Sequence, residues 1–340
     1  MLNTIYRLVA PRRFEIEFSD LDLNSGKVMV RPIRLSICNA DQRYYQGTRG
    51  ADILKKKLPM ALIHEGVGEV LFDPKKEFQP GELVVMVPNT PVREDPVIGE
   101  NYLRDSKFRS SGYDGYMQDV VDMRRDRLVS LKENVPLNVA SFTEIVSVCT
   151  HALTRFDQLA HERRNRVGIW GDGNMGFITA LLFRYMFPET EVYVMGVNPN
   201  KLVDFSFADG TYLVSDIPED FSIDHGIECV GGEGAPKAIN QIIDYIEPEG
   251  TIAILGVSEN PVPINTRMIL EKGLRVLGSS RSGRADFVKT LELYEKHPEI
   301  PKYLKRIVGA VVEIHGIDDM KRAFEMDIQK DFGKTVMIWK

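Results

Sequence analysis

The chain has only three cysteines in 340 residues: Cys38, Cys149 and Cys229. So sparse and odd a set forms no disulfide framework and points to a reducing cytoplasm. Long apolar runs are missing too, none approaching the roughly 20 residues of a membrane span, so membrane insertion is not expected. The opening MLNTIYRLVA is too short and too polar in its flanks to read as a signal peptide. Basic charge is not in surplus. A formal net charge of -6 argues against a nucleic-acid partner, which calls for a positive face. Internal repeats and low-complexity segments are also lacking. What is present is an ordinary globular composition, 43% hydrophobic and 27% charged, at a length suited to two domains.

The most informative stretch runs from Arg166 to Phe177. Val167 to Trp170 read as a short apolar strand, and an apolar helix follows Gly176. Between them Gly171, Gly173 and Gly176 stand at the spacing G-x-G-x-x-G, with Asn174 and Met175 inside the motif. The glycines serve a tight turn, close backbone approach to a pyrophosphate, and close helix–strand packing; the helix N-terminus faces the negative charge. Glycine turns of this spacing also occur without a ligand, but the strand–turn–helix context favours a dinucleotide. The second strand of such a fold normally ends in an acidic residue that grips the ribose of NAD. Here Glu191–Met195 is followed by Gly196, with Asn198 and Lys201 close behind. A carboxylate would repel a 2′-phosphate, so its absence favours NADPH, although Gly196 also reads simply as a strand end.

The two halves of the chain differ in texture. Residues 1 to about 150 show short β-type runs at 28–32, 66–72, 83–87 and 116–121, separated by turn clusters. A connecting helix is expected over 138–159. From 166 strands and helices alternate, with strands expected at 166–170, 191–195, 210–214, 225–230, 251–256 and 274–280. Gly256 ends one of these at the carboxyl edge, where backbone passes close to a ligand. The tail contributes a helix over 285–296, an edge strand near 311–314 and a strand over 334–339, and is expected to return to the first domain. The fold class is α/β: a β-rich domain of residues 1–145 with 285–340, and a doubly wound parallel-sheet domain of 146–284.

Three short segments carry candidate metal donors. Cys38 lies in Ser36-Ile-Cys-Asn-Ala-Asp41, His64 and Glu65 lie in Ile63-His-Glu-Gly-Val-Gly68, and Glu144 lies on the expected connecting helix. A thiolate, an imidazole and carboxylates form the donor set of a four-coordinate zinc with an open position. No local spacing ties them together. Taken singly, Cys38 also reads as a small buried hydrophobe and His64–Glu65 as a polar turn pair.

These segments, in this order and followed by a glycine-rich nucleotide fold, resemble the medium-chain zinc alcohol and polyol dehydrogenases over nearly the whole chain. The family implies a GroES-like catalytic domain beside a Rossmann coenzyme domain. Longer strings are similar to the branch that reduces ribulose 5-phosphate to ribitol 5-phosphate for CDP-ribitol, teichoic acid and capsule synthesis. They are Ser36–Tyr45, Leu62–Glu69, Val87–Pro91, Phe108–Gly112 and Leu277–Gly283. The resemblance implies NADPH, and Cys38, His64 and Glu144 as catalytic zinc ligands, with Glu65 as fourth or exchangeable ligand. It further implies a cytoplasmic homodimer working with a cytidylyltransferase. The alternative is an NAD-dependent polyol dehydrogenase acting on unphosphorylated sugar alcohols. Two departures stand out. Residues 89–115 hold no cysteine, so a single catalytic zinc and no structural zinc is expected. Ala40 replaces the hydroxyl often found two residues after the zinc cysteine, and Asp41 reads as a structural residue.

Arginine suits bidentate recognition of oxyanions, which makes Arg43, Arg49, Arg109 and Arg281 the candidates for a sugar-phosphate substrate. Lys55–Lys57 and Arg124–Arg127 read as solvated charged segments. Cys149 and Cys229 read as core filler.

Overall fold

The structure is a computed structural model that describes residues 1–339. It divides into two compact units, Met1–Ser147 with Ser282–Lys340, and Val148–Arg281.

The first unit is built on one large sheet. Its strands run in the order Leu128–Ser130, Leu83–Met86, Glu65–Phe72, Val28–Ser36, Lys334–Trp339 and Val308–Ile314; Val121–Met123 pairs with the start of Val28–Ser36. Val28, Val30, Leu35, Val70, Val84, Leu128 and Met337 are buried in one apolar cluster. Such burial yields roughly 1.5–3 kcal/mol per large aliphatic side chain and holds the sheet together. A second, three-stranded sheet joins Leu2–Ala10, Arg13–Asp20 and Met60–Ala61. It is tied down by the stack of Phe14, Tyr45 and Phe324, in which Tyr45 and Phe324 approach to 4.6 Å. The Lys334–Trp339 strand runs antiparallel to Val28–Ser36, with Val336 opposite Ser36. That pairing sets the Ile37 amide on the Thr335 carbonyl at 3.0 Å and places Lys334 beside the turn that bears Cys38.

The second unit is a six-stranded parallel sheet. Its order is Gly210–Leu213, Glu191–Gly196, Arg166–Trp170, Ile223–Glu228, Ile246–Ile254 and Arg275–Gly278. The order reverses between the third and fourth of these, the switch point at which doubly wound folds bind nucleotides. Buried Trp170, Phe177, Leu181 and Phe183 explain why strand and following helix read as continuous apolar runs.

Three expectations need correction. The connecting helix is two helices, Leu137–Ala140 and Thr143–Leu159. The Ser141 hydroxyl turns back onto the Asn138 carbonyl at 2.8 Å and marks the break. Residues 116–120 do not form a strand; Gln118 makes an isolated bridge to Ile5, and the ladder begins at Val121. Arg124–Arg127 is not a solvated turn, because Arg127 is buried and held by Glu100 at 2.9 Å, while Arg125 pairs with Asp73.

Candidate metal and nucleotide sites

The Val28–Ser36 strand delivers Cys38 to the N-cap of the Asn39–Tyr45 helix. Asp41, in the first turn of that helix, is completely buried and serves as the hub of the site. Its carboxylate accepts from the Cys38 amide (3.3 Å), the Ile63 amide (3.0 Å) and the Ser110 hydroxyl (2.5 Å). Ile63 has φ 71°, a left-handed conformation costly for a β-branched residue, and Asp41 holds its amide there. The turn presents His64, whose Nδ1 lies 3.4 Å from Asp41 Oδ2 and whose ring packs against Phe108 at 5.4 Å. A carboxylate on one ring nitrogen directs the other toward a metal and fixes the tautomer.

The donor atoms of Cys38, His64 and Glu65 all lie within 4.8 Å of one another, the one such trio of donor residues among the described residues. A zinc ion with bonds of about 2.0–2.3 Å draws its tetrahedral ligands to comparable spacing. Glu65 is fully buried and paired with Lys334, whose Nζ is 2.8 Å from both carboxylate oxygens. Glu144 stands in the first turn of the Thr143–Leu159 helix and is buried, outside the compact trio. Burial first, and then the charges of Glu65 and Asp41, push its carboxyl up to about 7 against the opposing pull of His64 and Lys334. For His64, burial alone would depress the imidazolium, but Asp41 and Cys38 hold it well above the ordinary value. Burial would raise the Asp41 carboxyl, but His64 first, and then the Ser110 hydroxyl and the Ile63 amide, carry it below the usual carboxylate range. Cys38, Asp41, Glu65 and Glu144 thus stand around two buried basic groups, His64 and Lys334. The raised Glu144 carboxyl reflects that crowding of acidic groups, and a divalent cation fits the donor set.

In the second unit Gly173 caps the Asn174–Met186 helix. A Cβ on Gly176 would stand 1.8 Å from the Gly171 carbonyl oxygen, so the third glycine of the motif tolerates no replacement. A cavity of about 260 Å³ opens against Gly171, Gly173 and Gly196 and reaches Lys237 and Gln241 on the Ala235–Tyr245 helix. Two carboxylates shape its surroundings. Asp172 accepts from the Val197 and Asn198 amides at 2.8 and 2.7 Å. Fully buried Glu228 accepts from the Val230, Gly231 and Gly256 amides at 2.8, 2.6 and 3.0 Å, which fixes the glycine loops at the carboxyl edge of the sheet.

The match to known proteins agrees with both halves. Residues 24–133 match the alcohol dehydrogenase GroES-like domain and residues 203–296 the zinc-binding dehydrogenase domain. The ribulose-5-phosphate reductase of Bacillus spizizenii is 53% identical over the full length of both chains. The chain belongs to the ribulose-5-phosphate reductase family. The Streptococcus pneumoniae reductase is 42% identical over 100% of this chain and 98% of its own. The crystal structure of Staphylococcus aureus TarJ in complex with NADPH covers both chains completely at 48% identity and a TM-score of 0.91. The fold is therefore a GroES-like catalytic domain with a Rossmann coenzyme domain.

The candidate phosphate-binding arginines of this reductase do not form one cluster. Arg43 and Arg49 lie just beyond Cys38; the Arg49 guanidinium rests 4.6 Å over the Tyr44 ring, and its buried Nε has no hydrogen-bond partner. Arg109 donates to the Asp114 and Asp122 carbonyls at 3.2 and 2.6 Å. It lines a separate cavity of about 390 Å³ with Lys27, Lys107 and Arg124. Arg281 belongs to the second unit and has φ 58°. Asn198 accepts at its side-chain oxygen from the Asn200 amide at 3.0 Å, so toward a phosphate it can offer only its side-chain NH2, beside the Lys201 ammonium. Residues 89–115, without cysteine, are held by polar contacts: Arg93 with Asp95 and Asp105, Asn89 with the Glu100 carbonyl, and Ser110 with Asp41. Sequence reasoning missed Asp172, Glu228, Lys237 and Lys334. Only Asp172 carried a signal, as an acidic residue inside a motif built for a phosphate.

Proposed function

We propose that this protein is a zinc-dependent reductase that uses NADPH to convert D-ribulose 5-phosphate to D-ribitol 5-phosphate, supplying CDP-ribitol for teichoic acid or capsule. The observation that carries the reading is the compact trio of half-buried Cys38 with buried His64 and Glu65, set in a chain alike over its full length to ribulose-5-phosphate reductases. Cys38, His64 and Glu144 hold the zinc, and Glu65 exchanges between Lys334 and the metal. When bound, zinc supplies a Lewis acid for the ketone and NADPH supplies the hydride.

The chain's own residues set the conditions. Asp41 keeps His64 in one tautomer. Lys334 neutralises Glu65, so the thiolate of Cys38 and the carboxylate of Glu144 balance the dication. Phe108 packs at a tilt against the imidazole, 5.4 Å between ring centroids. Ala40 offers no hydroxyl, and Glu144 holds a proton near neutrality only while the metal is absent; with zinc bound, the proton for the substrate oxygen comes through water or Glu65. Gly171, Gly173, Asn174, Met175 and Gly176 receive the pyrophosphate; Gly196, Asn198 and Lys201 border the adenosine ribose, and Gly256 the opposite edge. Arg43 and Arg49 are the arginines best placed for the substrate phosphate.

Among the described residues no helix is long and apolar enough to cross a membrane. The enzyme works in the cytoplasm as a homodimer joined through the open edge strand Arg275–Gly278, where Val276, Leu270 and Val257 are exposed. Its product passes to a cytidylyltransferase. Oxidation of NADPH by the purified protein should be at least about a hundredfold more efficient with ribulose 5-phosphate than with ribulose, about 2.7 kcal/mol of transition-state binding. Equal efficiency on both sugars, or a preference for NAD with a free polyol, would replace this reading with that of a polyol dehydrogenase.

A further inference from the structure

The nucleotide-binding turn contains a carboxylate that a phosphate-binding motif does not require. Asp172 sits between the first two glycines, and its Oδ2 accepts from the amides of Val197 (2.8 Å) and Asn198 (2.7 Å). Those amides belong to the turn after the Glu191–Gly196 strand. In an NAD enzyme an acidic residue at the end of that strand grips the ribose. Here the space is taken. A Cβ on Gly196 would lie 2.7 Å from Asp172 Cβ, 2.8 Å from its Oδ2 and 2.9 Å from Leu202 Cδ2.

We propose that Asp172 is a positioning residue for cofactor choice: it fixes the 196–198 turn through two backbone amides and bars any side chain, above all a carboxylate, from position 196. The proposal rests on the NADPH reading above. Charge-assisted bonds to two amides absorb the negative charge of Asp172 within the turn. A second carboxylate on residue 196 would meet it at contact distance, where like charges repel strongly and neither is fully solvated. With no acid facing the ribose, the neighbouring cations decide which cofactor is favoured. Lys201 follows the turn, and Lys237 lines the same cavity with no carboxylate partner among the described residues. An acidic residue in the turn therefore works for NADPH, because it excludes the acidic residue that would select NAD.

The test is equilibrium binding of NADPH and NADH to the purified, zinc-loaded full chain, followed by fluorescence, with adenosine 2′,5′-bisphosphate and AMP as non-reactive probes. The wild type should bind NADPH about tenfold or more tighter than NADH. Failure of that arm alone overturns the cofactor reading. Given that preference, Gly196→Asp should lose about tenfold or more affinity for both cofactors, with no gain for NADH. Asp172→Ala/Gly196→Asp should regain NADH binding and reverse the ratio. Asp172→Asn, which keeps an oxygen acceptor for the turn, should preserve the wild-type preference. Melting temperatures keep the result decisive if Gly196→Asp folds poorly: recovery in the double variant supports the conflict at 196, and equal damage in both overturns it. Gly196→Asp alone gaining NADH affinity would overturn it as well.

Discussion

Replacing Lys334 by methionine removes the cation paired with Glu65. Both side chains are essentially inaccessible, at 2% and 0%, and the ammonium nitrogen touches both carboxylate oxygens at 2.8 Å. Burial would by itself lower the Lys334 pKa, but Glu65 foremost, with Cys38 behind it, raises it above the ordinary lysine value. The raised Lys334 pKa therefore contributes stability that is fully present below the ordinary lysine pKa, wherever Glu65 is ionised, and is lost as pH rises through the raised value. Breaking a buried pair from one side costs about 3–5 kcal/mol, because the other charge stays buried without compensation. At roughly 2–4 °C per kcal/mol for a unit of about 200 residues, Lys334→Met should lower Tm by roughly 6–20 °C in the metal-free protein. Two further results separate charge from packing. Glu65→Gln/Lys334→Met should recover most of the loss, since no charge then remains. Zinc should narrow the gap between Lys334→Met and wild type, because the released carboxylate gains a cation. Calorimetry with and without chelator measures all of this. A metal-free Lys334→Met protein within about 1 kcal/mol of wild type, or a double variant no better than the single, refutes the reasoning.

Elemental analysis should find about one zinc per chain, and Cys38→Ser should lose metal and turnover together, as expected for a single thiolate ligand. The stability of the metal-free protein should fall as pH rises from about 4.5 to about 7, because the buried Glu144 carboxyl holds its proton more tightly folded than unfolded. Glu144→Gln should flatten that dependence in urea titrations and should weaken zinc binding, which in the wild type strengthens through the same pH range. Lys237→Ala should weaken NADPH binding about three- to tenfold while leaving NADH within twofold, as loss of one partly exposed charge contact requires. Equal effects on both cofactors would remove Lys237 from the 2′-phosphate.

The nucleotide fold was readable because its signals are local. Gly171, Gly173 and Gly176 follow a strand within a few residues, and the six parallel strands announce themselves as apolar runs between helices. Around the metal, residue types were legible and relations were not. Cys38 and His64 are 26 positions apart, and nothing in composition says that Asp41 ties them together through the Ile63 amide and Ser110. Lys334 was invisible for the same reason: only the antiparallel register of Val336 on Ser36 brings it to Glu65. Position 124–127 misled because a run of arginines looks solvated until a buried Glu100 contact is in place. Residues 116–120 misled through β-propensity, which the backbone amides there spend on turns and single bonds instead.

The partnership of Glu65 and Lys334 spans 269 positions. A ribosome adding about 5–20 residues each second needs roughly 13–54 s to cover that distance. For that whole interval Cys38, Asp41, His64 and Glu65 have been added to the chain, while Lys334 has not. Until then Glu65 lacks the cation that pairs with it in the finished fold. The charge balance around Glu65 is therefore completed only when nearly the whole chain has been made.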